Sequence, residues 1–237
     1  MRLRLTVALI VLAALLFGAD RLALRVAEQR IASAVQSDAH LRARPAVTVH
    51  AFPFLVSAVR GRYGHIDLRA DDVFAGAGAG ADGSVVMLHL HGVRVPLSQA
   101  ISGQVARIPI DRVDGTAQIP FADIAAAAPL SGVTVAAVAG QPQQVVVGQP
   151  VDVAGVRVDV EVVARVAVAG TALTVTPVSA RAAGGQVPAA VLAQVRSRMS
   201  FSVPVPALPR GVELTGVSVD GAGVAVAVRG AAVTVSQ

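Results

Sequence analysis

From Pro45 onward, apolar and polar residues alternate with period two along most of the chain, which is the pattern of half-buried β-strands. The clearest run is VRVDVEVVARVAV, residues 156–168. Val156, Val158, Val160, Val162, Ala164, Val166 and Val168 share one face; Arg157, Asp159, Glu161 and Arg165 share the other. Thirteen residues make a strand of about 43 Å, far beyond the usual five or six residues. Ala169-Gly170 turns it back into TALTVTPVSA, so the two runs predict a long hairpin. Further strands are predicted at 65–70, 84–95, 107–119, 133–138, 143–147, 201–205, 212–219, 223–229 and 231–236. In VELTGVSVDG the apolar parity changes at Gly216, the mark of a bulge or bend. Short helices are predicted near 120–128 (PFADIAAAA) and 187–199 (VPAAVLAQVRSRM).

Before Pro45 the period is helical. Asp20 to Arg44 contains no breaker, with Ala23, Leu24, Ala27, Ile31, Ala34, Val35 and Leu41 on one side and Arg25, Gln29, Ser33, Gln36 and His40 on the other. This predicts an amphipathic helix of about twenty residues. It follows MRLR and fifteen uncharged residues, LTVALIVLAALLFGA. A basic start before an apolar stretch is a secretory signal, and its length of about 22 Å falls short of a hydrocarbon core of about 30 Å. Phe17 occupies the −3 position of a cut after Ala19, which favours an uncleaved signal anchor over a removed signal peptide. The chain then divides into a signal segment, 1–19, and one domain, 20–237. Either reading exports the bulk of the chain, leaving it anchored to the plasma membrane or in the periplasm or cell envelope.

The predicted class is α+β and β-rich, with one substantial helix and long antiparallel strands. Apolar residues make up 54% of the chain but aromatic ones only 3%, so mainly Val and Ala fill the interior. A sheet curled around one helix, lined by small side chains, leaves an apolar groove unfilled; a second sheet packed as a sandwich would close it.

Composition excludes several chemistries. The absence of Cys rules out thiolate catalysis and disulfides. All twenty basic residues are Arg, giving a net charge of +5, but they are dispersed and not interleaved with stacking aromatics, which argues against nucleic acid. GAGADG, residues 78–83, fits the spacing G-x-G-x-x-G, yet a strand follows it where a dinucleotide fold needs a helix. His89 and His91 share a strand face and need a third ligand, such as His50 or His65, to hold zinc. A solvated face is the plainer explanation, and no metal or cofactor is assigned. No nucleophile elbow or phosphate loop occurs, and Asp71, Asp72, Asp111, Asp114, Asp123 and Glu161 fall on strands or turns. No catalytic residue is assigned.

The seven aromatic residues are unevenly spread: Phe52, Phe54 and Tyr63 lie within VTVHAFPFLVSAVRGRYGHIDL, beside Arg60 and Arg62. These rings fit either ordinary core at the end of a strand or contact with a lipid tail or bilayer interface. Two guanidinium forks flanking Gly61 are suited to a phosphate, and equally to solvent or a salt bridge.

The segments ADRLALRVAEQRIASAVQS, VTVHAFPFLVSAVRGRYGHIDLRADDV, LHLHGVRVPL, RVDGTAQIPFADIA and VPVPALPRGVELTGVSVDGAGVAV together resemble the actinobacterial LmeA-like phospholipid-binding family, formerly a domain of unknown function. FPFL…GRY is the most specific element, and Ala51 stands where the family pattern has Gly. The resemblance implies an exported, membrane-associated protein without a catalytic centre, its long curved sheet wrapped on a helix as in tubular lipid-binding domains. Phospholipid and the plasma membrane become its partners, with envelope-biosynthesis enzymes as further ones, in lipid or lipoglycan (mannan) assembly. Phe52, Phe54, Leu55, Tyr63, Ile31 and Val35 become the lipid contacts, and Arg60 and Arg62 the headgroup contacts. A non-catalytic envelope scaffold is the alternative, and an envelope hydrolase or transferase ranks below both.

Overall fold

The structure, a computed structural model, describes residues 2–73, 83–96, 108–127, 132–153, 156–170, 172–182, 185–186, 200–204 and 211–235. A single helix, α1 (Arg2–Asp38), runs through the signal segment and the amphipathic stretch without a break, about 55 Å in all. It is long and apolar enough to cross a membrane. The described side chains from Leu3 to Ala19 are exposed, and burial begins at Asp20. Beyond it Ala23, Leu24, Ala27 and Ile31 pack on the core, as the helical wheel predicts, while Ala32 is buried and Ala34 exposed. The helix stops six residues short of Arg44 because His40 turns left-handed (φ 51°) and the Leu41 amide bonds back to the Gln36 carbonyl.

The strands fall into two antiparallel sheets. The first joins β1 (Ala46–His50), β2 (Arg62–Asp71), β3 (Val85–Arg94), β4 (Ile108–Pro120), β11 (Val212–Val219) and β12 (Gly223–Val235) in the order β1-β2-β3-β4-β12-β11. Between β1 and β2 lies a short helix, α2 (Phe54–Arg60). Another, α3 (Phe121–Ala127), carries the chain from β4 into the second sheet. There β5 (Thr134–Ala137), β6 (Gln144–Val153), β7 (Val156–Ala169), β8 (Ala172–Ala182) and β10 (Phe201–Pro204) lie in the order β10-β8-β7-β6-β5, with β9 (Gly185–Gln186) beside β8. The α+β, antiparallel reading holds, although one continuous sheet becomes two. The helix expected at 187–199 and most of GAGADG lie outside the described residues. At the close of the β2–β3 connection, Asp72 Oδ1 accepts from the Gly83 amide at 2.8 Å, and a strand follows, as no dinucleotide site would have it.

The long hairpin is β7–β8. Val162, Ala164 and Val166 are buried while Glu161 and Arg165 are exposed, as period two requires. One core cluster unites both sheets: Val145, Val147, Ala164, Val166, Leu173 and Val175 from the second, with Ile66, Val93, Val113, Val224 and Val226 from the first. A backbone bond ties the sheets at one corner, from the Val219 amide of β11 to the Pro142 carbonyl just before β6.

The expected bulge appears as a register shift between Leu214 and Gly216. The strands expected at 223–229 and 231–236 are instead one, β12, paired with β4 along its length. Its burial parity changes at Ala232 (φ 50°), and that of β4 changes beside it, so that Ile110 and Val233 face inward while Arg112 and Ala231 face out. Gly92 (φ 67°) lies on the same rung of β3, where a Cβ would meet the Asp111 carboxylate. A fold line therefore crosses three strands without breaking their pairing.

Candidate functional site

The aromatic segment sits where α1, the edge strand β1 and α2 meet. Edge strands expose unpaired backbone groups, and here Glu28 Oε1 of α1 accepts the outward-facing Val49 amide at 2.9 Å. After His50 the chain passes a cis Phe52-Pro53 bond and enters α2. Pro53, at the N-cap, offers no side-chain acceptor, so the first amides of α2 need an outside partner. Asp20 provides it, its buried Oδ1 accepting the Leu55 amide at 2.8 Å. Its negative charge also faces the positive end of the short helix. The residue at which α1 first becomes buried is thus the one that docks α2.

α2 is amphipathic at four-residue spacing. Phe54 and Ala58 point inward and are buried; Leu55, Val56 and Val59 point outward, Val59 with 73% of its surface exposed. Phe54, only 6% exposed, lies with its ring centroid 6.1 Å from that of half-buried Tyr63. Burial raises the Tyr63 hydroxyl pKa above its ordinary value. Phe52 turns the other way: it is 69% exposed and packs edge-on against Phe17 of α1, centroids 6.3 Å apart. The Arg21 guanidinium lies 5.2 Å from one of these rings and 5.0 Å from the other, a shared cation–π contact.

The predicted site residues therefore separate into two groups. Phe52 and Leu55 belong to an outer surface shared with Val56 and Val59, which meets α1 at Phe17 and Arg21. Phe54, Tyr63 and Ile31 belong to the inner side, and Val35 is half-buried further along α1. Arg60 and Arg62 are exposed, and neither pairs with an acid among the described residues. The sequence reading missed α2 itself, and with it Val56 and Val59. The signal was present as Pro53, the four-residue spacing of Phe54 and Ala58, and a closing Gly61.

Gly61 has a different task from the one its neighbours suggested. It ends α2 in the left-handed region (φ 63°), its amide bonds back to the Ala58 carbonyl, and its carbonyl accepts the Val95 amide at 3.0 Å. An added Cβ would lie 2.9 Å from the Val95 carbonyl oxygen. The glycine serves this turn and the β3 connection, and its backbone is not left open to an anion. Gly61→Ala is expected to cost about 2 kcal/mol, a fall in Tm of roughly 6 °C, read by thermal unfolding of the full chain in detergent. Ala51 by contrast has no positive φ, so alanine there carries no backbone strain.

A second polar grouping occupies the outward face of the first sheet. Register pairs His50 with His65 and His65 with His91 across β1, β2 and β3, and Asp67 with His89. The Asp67 carboxylate accepts from His50 Nε2 at 2.7 Å, His65 Nε2 at 2.8 Å and His89 Nδ1 at 2.6 Å. The hydrogen bond from His89, helped by that from His50 and by electrostatic attraction to His65 and His89, outweighs desolvation and lowers its pKa to about 2. His65 also meets His91, Nδ1 to Nδ1, at 3.2 Å.

The remaining carboxylates are spoken for in other ways. Asp71 pairs with Arg69, Asp111 with Arg94, and Asp114 with both Arg112 and Arg229. Asp123 is buried in the first turn of α3. Asp71 stands four residues along β2 from Asp67, about 13 Å away, so these two acids do not form a catalytic pair.

The family model described as LmeA-like phospholipid-binding matches residues 18–229. The chain belongs to the LmeA-like phospholipid-binding family. Comparison with curated proteins gives no match, and comparison with solved structures gives none either. The matched region opens at Gly18, beside Phe17 and Asp20, and closes at Arg229 in β12, so it takes in the whole α1–β1–α2 junction. In this LmeA-like protein the junction brings exposed apolar surface beside Arg60 and Arg62, which have no acid partner among the described residues.

Proposed function

We propose that this LmeA-like protein is an exported, membrane-tethered phospholipid-binding protein whose helix α2 rests in the bilayer interface beside the membrane-crossing part of α1. The observation that carries the reading is the continuity of exposed apolar surface from α1 to α2. Phe17 leads into Phe52, with Leu55, Val56 and Val59 exposed beyond it on α2, and Arg21 lies over the ring pair at the join. Rings and arginines at the end of a membrane span suit the interface, where apolar bodies sit inward and charges reach phosphate.

In this reading a phospholipid leaves the bilayer beside α2. Its acyl chain passes Phe52 and Leu55 towards Phe54, Tyr63, Ile31 and Val35, and its headgroup stays with Arg60 and Arg62. Acyl burial at about 0.8 kcal/mol per CH₂ supplies the affinity. The role is non-catalytic and serves envelope lipid or lipoglycan (mannan) assembly alongside the enzymes of that process. The carboxylate placement favours this over a hydrolase, since Asp71, Asp111 and Asp114 are held in separate ion pairs.

The chain contains no Trp, so Val59→Trp introduces a single indole reporter. In nanodiscs of phosphatidylglycerol and phosphatidylcholine its emission is expected to be blue-shifted and quenched by lipids spin-labelled high on the acyl chain. Emission typical of water, unquenched by any label depth, would remove α2 from the membrane.

A further inference from the structure

The imidazole cluster on the outer face of the first sheet is not used by the lipid site. The chain has five histidines, and four of them gather here from three strands: His50, His65, His89 and His91. Elsewhere this face carries arginine–carboxylate pairs, such as Asp114 with Arg112 and Arg229. The partners of Asp67 are instead all imidazoles. Three ring nitrogens stand within 2.8 Å of that one carboxylate, each from a different strand. One ligand atom each from His50, His65 and Asp67 lies within 4.8 Å of the other two. A tetrahedral ion with bonds of about 2.0–2.1 Å holds its ligand atoms roughly 3.3 Å apart, a closure that side-chain rotation can supply.

We propose that His50, His65, His89 and Asp67 form a binding site for a divalent transition-metal ion, zinc being the best match to three imidazoles and one carboxylate. Without the ion, the three N–H groups point at Asp67 and keep the rings gathered. With it, each neutral ring moves its proton to the other nitrogen, and the freed lone pair turns to the metal. His50 and His65 bind through Nε2 and His89 through Nδ1, so no net proton is lost from the rings. The shifted proton of His65 arrives at Nδ1, 3.2 Å from His91 Nδ1, which accepts it as a hydrogen bond once the proton of His91 has moved in turn to its Nε2. His91 thereby acts as a positioning residue, fixing the tautomer and orientation of a ligand. The two guanidinium groups beside the cluster, Arg112 opposite His91 and Arg69 two residues along β2 from Asp67, are already paired with Asp114 and Asp71, which limits their repulsion of a cation. The site stands half-open to solvent, so an ion can reach it without passing through the core.

The test is a Co²⁺ titration of the full chain in detergent, followed by visible d–d absorption and then by competition with Zn²⁺. One ion per chain is expected, with a tetrahedral spectrum that Zn²⁺ abolishes. His50→Ala, His65→Ala and His89→Ala should each weaken binding by more than about 10-fold, and His91→Gln by about 10-fold, with far-UV circular dichroism unchanged. His40→Ala, at the remaining histidine, should leave the titration as it is. An absent Co²⁺ spectrum, or one that survives unchanged in His65→Ala, makes the cluster a hydrogen-bonded surface patch and overturns the proposal. Neither outcome depends on lipid binding.

Discussion

Phe54→Ala is expected to destabilise the protein by about 3–4 kcal/mol, whereas Phe52→Ala, two residues away, costs less than about 1 kcal/mol. The two rings look equivalent in FPFL, but they face opposite ways. Phe54 is 6% exposed, stacks beside Tyr63 and is the one large side chain that α2 inserts into the core. Truncating it removes transfer energy and opens a cavity beneath a seven-residue helix too short to hold itself. Phe52 forfeits only an edge contact with Phe17 and a share of the Arg21 cation–π contact. Thermal unfolding of the full chain in detergent should show Tm falling by roughly 10 °C for Phe54→Ala and by no more than a few degrees for Phe52→Ala. In lipid uptake the order reverses: at temperatures where both variants are folded, Phe52→Ala should show the larger loss per degree of Tm given up. Equal shifts in Tm would contradict the division of the segment into an inner and an outer ring. A joint substitution of both rings cannot make the distinction, because unfolding masks the surface effect.

Much of the fold could be read from periodicity because most strands have one buried and one wet face. β7, β8 and the bulge at Gly216 follow from that alternation alone. The division into two sheets does not. A run of alternating Val presents the same pattern to any partner, and β12 finds its partner β4 about a hundred residues earlier in the chain. The fold line at Gly92 and Ala232 misled for a related reason: a parity change looks like the end of a strand unless its neighbours bend at the same rung. α2 was hidden by its length, since seven residues complete barely two turns and a helical period needs more.

The candidate sites were legible in parts. Aromatic concentration pointed to residues 52–63, but which ring faces outward depends on Asp20, thirty-five positions before Leu55. His89 and His91 were visible as a pair on one face, with His50 and His65 as outside partners. Asp67, at the centre of the cluster, attracted no notice because a lone acid on a polar strand face is ordinary. Only the register of β1, β2 and β3 brings the four rings around it.

Arg60→Gln with Arg62→Gln is expected to weaken binding of an anionic phospholipid by about 30-fold at low salt, at roughly 1 kcal/mol per guanidinium near a lipid surface. Both groups are exposed, and no acid among the described residues neutralises their charge. They flank the Gly61 turn at the end of α2, where headgroups lie if Leu55, Val56 and Val59 face the acyl region. Because both positions are exposed and glutamine keeps a polar, hydrogen-bonding end, the change is chiefly one of charge and should leave Tm within about 1 °C. It should also shrink at high salt, where exposed charges more than a few ångströms apart are screened. The measurement is energy transfer from the Val59→Trp reporter to dansyl-labelled phosphatidylglycerol, repeated with dansyl-labelled phosphatidylcholine. Equal losses for the two lipids would mean that the arginines position α2 and do not read the headgroup charge. An unchanged phosphatidylglycerol affinity would leave Arg21, already stacked on Phe17 and Phe52, as the cation that meets the phosphate.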